Sequence, residues 1–170
     1  MATSKKIAVK SAARGVARRP SGPIEILLVV LKFNDVLQND TPGEGGTEYA
    51  MRLRRDDPRA RIEGTDLIVR RPGGLIRFTI ASATDDRARY YPVGITFLRE
   101  GARSSSDTQR LGFLNFPQAR TEVDGATLLI ADTYRDPAKR VRYKFSVVIQ
   151  RGADGAIGII DPGIVHDGDQ

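Results

Sequence analysis

From Ile24 onward the chain alternates apolar and polar positions with a period of two. The pattern is clearest where Val141, Tyr143, Phe145, Val147 and Ile149 interleave with Arg142, Lys144, Ser146, Val148 and Gln150, which predicts a strand with one wet face. Tyr49, Met51 and Leu53 alternate with Glu48, Ala50, Arg52 and Arg54, and Val93, Ile95 and Phe97 alternate with Gly94, Thr96 and Leu98. The run Ile24-Glu25-Ile26-Leu27-Leu28-Val29-Val30-Leu31 is apolar on both faces after Glu25, as expected of a strand inside a sheet covered on both sides. Further strands are predicted at Thr65–Arg70, Leu75–Ile80, Leu111–Phe116, Ala126–Ala131 and Ala156–Ile160.

Turn chemistry falls between these runs. Arg71-Pro72-Gly73-Gly74 separates two of them, and Asp124-Gly125 and Asp154-Gly155 each sit between β-prone residues. Asp-Gly predicts a tight hairpin whose two central residues both take positive φ. No segment of the body sustains a helical period, and eight of the chain's nine Pro and 15 of its 17 Gly lie there to interrupt one. The expected fold class is therefore all-β: an antiparallel, immunoglobulin-like β-sandwich of about eight or nine strands, with a closed barrel as the second choice. Three longer connections, 34–46, 82–89 and 101–110, are the places where a β scaffold would carry binding.

Composition separates the chain into two parts. Residues 1–22 contain Lys5, Lys6, Lys10, Arg14, Arg18 and Arg19 and no acid, and end in Pro20-Ser21-Gly22, which reads as a linker boundary. All of the formal charge of +6 lies there: of 27 basic residues six are in the arm, leaving 21 against all 21 acidic ones in 23–170. The expected organisation is a flexible basic arm over 1–22 and one β-sandwich domain over 23–170. Three readings of the arm stay open: a solvated tail, an electrostatic contact to nucleic acid or an anionic surface through its six cations, and an organellar presequence, whose acid-free, Arg- and Ser-containing character it shares. The apolar run Ile26–Leu31 is too short to span a bilayer, so no membrane span is expected, and no small-residue cleavage pattern follows it.

Chemistry is limited by what the chain lacks. With no cysteine, disulfides, thiolate metal sites and cysteine nucleophiles are excluded, and the composition suits a reducing cytoplasm, the expected location. There is no Gly-x-Ser-x-Gly, no His-Glu-x-x-His and no phosphate loop ending in Gly-Lys-Ser/Thr. The acidic groups Asp85-Asp86, Asp132 with Asp136, and Asp161, Asp167 and Asp169 lack EF-hand spacing, and each adjoins turn residues where Asp satisfies nearby backbone, so neither metal nor cofactor is expected. His166, the one histidine, is read as a surface or hydrogen-bonded residue and not as a general base. Arg54-Arg55 and Arg70-Arg71 could extend a positive face, although Asp56-Asp57 blunts the first pair. Tyr90, Tyr91, Phe113 and Phe116 are not set among Lys or Arg as a base-stacking platform would be. Protection of strand edges accounts equally well for Arg52, Arg54, Arg142 and Lys144.

The ending Ile159-Ile160-Asp161-Pro162-Gly163-Ile164-Val165-His166 resembles the Asp-Pro-containing close of small bacterial β-sandwich proteins grouped as the DP-EP family, which have no established activity; a similar ending occurs in inclusion-body and AidA-like proteins. The likeness covers about a tenth of the chain. Where the family name calls for Glu-Pro, this chain has Asp167-Gly168. The resemblance implies an immunoglobulin-like sandwich and carries over no catalytic residue. In physical terms, Asp161 is expected to hold a turn through its side chain and Pro162 to stop the strand ladder. The leading functional expectation is a non-enzymatic interaction or structural module that binds a protein or small ligand through loops or a strand edge. The alternative is a nucleic-acid or anionic-surface binder that uses the arm. Oligomeric state is left open.

Overall fold

The computed structural model describes residues 22–36, 46–70, 73–83, 88–101, 112, 114–134 and 140–167. Eleven strands follow one another: β1 (Ile24–Lys32), β2 (Glu48–Leu53), β3 (Ala60–Glu63), β4 (Asp66–Val69), β5 (Gly74–Ser82), β6 (Tyr90–Arg99), β7 (Gln118–Thr121), β8 (Thr127–Asp132), β9 (Val141–Arg151), β10 (Ile157–Ile160) and β11 (Gly163–His166). They form two sheets. The first has the order β2-β1-β5-β8-β7. In the second, β9 pairs with β6 along one edge and with β10 and β11 in succession along the other, and β4 and β3 lie beyond β11.

The expected all-β class holds, and the alternating runs become the inward and outward faces of the strands. Ile24, Ile26, Leu28 and Val30 of β1 meet Ile76, Phe78 and Ile80 of β5 and Leu128 and Ile130 of β8 on the inner face of the first sheet. Tyr143, Phe145, Val147 and Ile149 of β9 line the facing side of the second. The two layers interlock where Phe78 and Phe145 meet with ring centroids 5.2 Å apart. Such offset aromatic pairs add roughly 0.5–1.5 kcal/mol beyond the area they bury.

Three expectations are corrected. The sheets are mixed: β1 runs parallel to β5, and β4 runs parallel to β11. An alternating pattern marks the two faces of a strand and carries no information about its direction, so it cannot exclude a crossover. The strand predicted over Leu111–Phe116 is absent, since Gly112, Leu114 and Asn115 are helical and the Phe116 N–H donates to the Gly112 carbonyl at 2.9 Å. Finally, β9 is paired on both sides, so Arg142 and Lys144 protect no edge.

Both Asp-Gly turns close hairpins, by a longer route than expected. Glu122 and Thr127 bracket one four-residue loop and Arg151 and Ala156 the other, with Gly125 (φ 71°) and Gly155 (φ 76°) in the left-handed region. In each loop the Asp carboxylate accepts the N–H two residues on: Asp124 from Ala126 at 3.1 Å and Asp154 from Ala156 at 3.2 Å. The side chain thus replaces a backbone turn bond.

Candidate functional site

Asp132 and His166 form the most heavily buried polar pair among the described residues. Asp132 closes β8 on the inward parity of Leu128 and Ile130, while His166 closes β11 on the inward parity of Ile164. Their side chains meet across the two sheets, His166 Nε2 to Asp132 Oδ2 at 2.9 Å, and are only 1–2% exposed. The other carboxylate oxygen accepts the Tyr134 N–H at 3.0 Å, which turns the chain and lays the Tyr134 ring on the imidazole at 4.2 Å and 15°. Phe116 is stacked at 5.8 Å and Tyr143 stands edge-on at 5.4 Å.

The surrounding segment is held as firmly. Thr133 N–H donates to the Asn115 carbonyl at 2.8 Å, and the Asn115 amide donates to the Tyr143 hydroxyl at 2.5 Å. Burial pushes the Tyr143 hydroxyl up to about 12. His166 Nδ1 is buried with no hydrogen-bond partner among the described residues, so the ring's one hydrogen bond is the contact of Nε2 with Asp132. Of the two alternatives expected for this histidine, the surface one is corrected: the ring is interior and hydrogen-bonded, through Nε2, to Asp132. A general base must reach the proton it removes, and here the imidazole is enclosed by rings and a carboxylate.

An open cleft of about 430 Å³ lies at the other end of the second sheet, between Ala88-Arg89 before β6 and Gly152-Ala153-Asp154 after β9. Tyr91 forms its wall. The Tyr91 ring lies over two hairpin glycines, one from each sheet: a Cβ at Gly152 would stand 2.8 Å from it and one at Gly125 3.1 Å. Arg151 is committed inside the protein, since its guanidinium grips Asp154 at 3.0 and 2.6 Å and lies 4.5 Å from the Phe33 ring centre. That grip holds the Asp154 carboxyl down to about 2. Arg89 is exposed at the rim and has no acidic partner among the described residues. The geometry offers one cation, an aromatic face and a backbone floor, which suits a small anionic group attached to a flat apolar body.

The Asp161-Pro162 step lies between β10 and β11, which both pair with β9. Pro162 does not stop the ladder. Its carbonyl accepts the Phe145 N–H at 3.0 Å, and pairing resumes at Gly163. Asp161 is exposed, and its side chain makes no hydrogen bond among the described residues, so the expected side-chain turn is corrected as well. The tight position is the next one. Arg142 grips Asp66 at 2.9 and 3.0 Å directly over Gly163, and a Cβ there would stand 2.1 Å from Asp66 Oδ1.

Lys5, Lys6, Lys10, Arg14, Arg18 and Arg19 lie outside the described residues, as do 37–45, 84–87 and 102–110 of the three long connections. So do Asp85, Asp86, Asp136, Asp169, Arg71 and Phe113. Among the described residues, no three His, Cys, Asp or Glu side chains converge as metal ligands, and no helix is long and apolar enough to cross a membrane. The Asp132–His166 pair escaped the sequence reading because its members are 34 positions apart on different sheets. The available signal was parity: each falls on the inward phase of its strand, where a polar side chain needs a partner. Compared with protein-family models and with curated proteins, the chain matches none.

Proposed function

We propose that the chain is a non-enzymatic binding module on an immunoglobulin-like sandwich, taking a small carboxylate- or phosphate-bearing ligand at the cleft beside Tyr91. The observation that carries this reading is the position of Arg89, a rim cation without an acid among the described residues, next to an aromatic wall in a cleft of about 430 Å³. Sites of roughly 300–1,000 Å³ accommodate small ligands, and a guanidinium orients an anionic group by a two-pronged hydrogen bond. The sealed histidine supports the non-enzymatic part. The interrupted β10–β11 strand at Asp161-Pro162 supports placing the chain beside the DP-EP proteins, and the lack of cysteine supports a cytoplasmic location.

The test is a two-dimensional NMR titration with benzoate and with inorganic phosphate. Shifts centred on Ala88–Tyr91 and Gly152–Asp154, lost in Arg89→Gln and kept in a Lys144→Gln control, are expected. Shifts absent from the cleft for both probes would overturn the reading.

A second reading has its own observation. Residues 23–170 hold 21 basic against 21 acidic residues, and Arg55, Arg59, Arg61, Arg77, Arg140, Arg142 and Arg151 among them each face a carboxylate within 4.0 Å, so the net positive charge available to a polyanion is that of the six cations of 1–22. Fluorescence anisotropy with single-stranded and duplex oligonucleotides at two salt concentrations tests it. Salt-sensitive binding by the full chain and none by 23–170 is the expected result.

A further inference from the structure

β7 lies at the margin of the first sheet and, among the described strands, is the one exposed at every position. The other margins are blunted. Pro92 and a register shift interrupt β6, and the Val36 and Thr47 N–H groups cap the Ile157 and Ile159 carbonyls of β10. Met51 in the middle of β2 is buried, and Ile62 of β3 packs against the core. β7 has no proline, no bulge and no covering segment among the described residues, so its edge is an open template for another strand.

The ladder with β8 shows which groups face that edge. Glu122 N–H donates to the Thr127 carbonyl at 2.8 Å, so Glu122, Arg120 and Gln118 take the hydrogen-bonded positions opposite Thr127, Leu129 and Ala131. The N–H and C=O groups of Ala119 and Thr121 therefore point away from β8. Arg120 stands on the outward face beside Leu129, without an acidic partner among the described residues. Glu122 follows two positions later on the same face, where Arg77 holds it at 3.0 Å.

We infer that β7 pairs antiparallel with β7 of a second copy, joining two five-stranded sheets into one across a two-fold axis. Since only Ala119 and Thr121 present backbone groups, few registers are open. Ala119 opposite itself sets Arg120 against the partner's Gln118. Ala119 opposite the partner's Thr121 sets Arg120 against the partner's Arg120, and like charges directly opposite are destabilising. Thr121 opposite itself sets Arg120 against the partner's Glu122, twice over by symmetry, and lays the wholly exposed Val123 beside the partner's Ala119. The third register is the one adopted. It joins the Thr121 residues by two backbone hydrogen bonds and gives the unpaired arginine a carboxylate. The strand's own sequence thus carries the acid that Arg120 lacks, at the spacing the two-fold axis requires. A seam this short buries less than about 1,000 Å², which makes the dimer weak and concentration-dependent.

The test is sedimentation velocity of the full chain from about 5 to about 200 µM, with amide hydrogen exchange at both ends of that range. The weight-average mass should rise from 18.6 kDa toward twice that value. The Thr121 amide should become at least about tenfold more protected at the high concentration. Arg120→Glu and Glu122→Arg each set like charges across the seam, so each alone should associate at least about tenfold more weakly, with the circular dichroism spectrum of the parent. An equimolar mixture of the two variants restores opposite charges at both contacts of the mixed dimer and should associate as the parent does. A parent that stays monomeric, single variants that associate as the parent does, or a mixture that stays monomeric would overturn the inference. So would Thr121 protection that is equal at both concentrations, which would place a segment of the same chain on the edge. Dimerisation that leaves the Thr121 amide unprotected would overturn it too, by placing the contact elsewhere.

Discussion

Asp132 and His166 join the last residue of β8 to the last residue of β11, so one 2.9 Å contact ties the two sheets together at the end of the sandwich. Breaking a buried pair strands its survivor without water, at a cost of roughly 3–5 kcal/mol for a charged group and 1–3 for a neutral one. Asp132→Ala also frees the Tyr134 N–H, and His166→Ala removes the ring against which Tyr134 stacks. Each single variant should therefore unfold at markedly lower urea concentration. Removing both partners in Asp132→Leu/His166→Phe should cost well under the sum of Asp132→Leu and His166→Phe, with a coupling of about 1–3 kcal/mol. Additive losses in the urea melts would show that the pair makes no interaction of its own.

Gly163 is the position of the C-terminal motif least tolerant of a side chain, because Asp66 Oδ1 occupies the space a Cβ would take, only 2.1 Å away. Gly163→Ala must push the carboxylate off the Arg142 fork or displace β11. A loss of about 2 kcal/mol is expected, within the range seen when extra atoms are forced into a packed site. In an Asp66→Ala background the obstruction is gone, and the same substitution should cost a few tenths of a kcal/mol. An unchanged penalty in that background, measured by urea denaturation, would place the strain in the backbone and not in the carboxylate.

The sheets were legible in the chain wherever a strand keeps one face wet. The alternation in β2 and β9 appears in the burial of Met51 and Val147; in β6 it holds at Phe97 but fails at Val93, which the register shift between Pro92 and Gly94 leaves 55% exposed, and the Asp124 and Asp154 turns lie where Asp-Gly placed them. Direction was not legible, because Ile26 packs beside Phe78 in a parallel pair as readily as in an antiparallel one. The short strand β7 was missed because Gln118, Ala119, Arg120 and Thr121 are all exposed, and a strand held only by its ladder carries no hydrophobic period. The site depended on contacts that no local pattern records. Tyr91 reaches Gly125 and Gly152, and Asp132 reaches His166, only after two sheets have come together.

The acid limb of stability should reflect the turn carboxylates. Asp57 is held below its ordinary value by the Arg59 side chain, Asp124 by the Thr127 hydroxyl and backbone, and Asp154, at about 2, by Arg151. A carboxyl whose pKa is lower in the folded chain contributes stability above its unfolded value of 3.8, and that contribution is lost as the pH falls through the folded value. The melting temperature should therefore hold down to about pH 4 and then drop toward pH 2. Asp124→Ala and Asp154→Ala should each lower the plateau, by the amount a lost turn bond costs, and flatten the drop. Scanning calorimetry across this range checks both effects; an acid limb of unchanged steepness in the two variants would assign it to other carboxylates.

The alkaline limb has a different origin. Tyr49 and Tyr143 are each raised from 10.0 to about 12, in both cases chiefly by burial, which disfavours the phenolate. A group whose folded pKa lies above its unfolded value stabilises fully below the unfolded value and loses that contribution as the pH climbs through the folded one. The window is thus pH 10 to 12, in which the unfolded chain sheds two phenolic protons that the folded chain retains. Stability should fall there by up to about 1.4 kcal/mol per pH unit for each tyrosine. Absorbance near 295 nm should show at least two of the five tyrosines ionising only as the fold is lost. Tyr143→Phe removes one of these protons together with the Asn115 hydrogen bond, so it should begin less stable at neutral pH yet decline less steeply above pH 10. A variant that declines as steeply as the parent, or five tyrosines that titrate together near pH 10 in the folded chain, would refute the assignment of the alkaline limb to these two buried phenols.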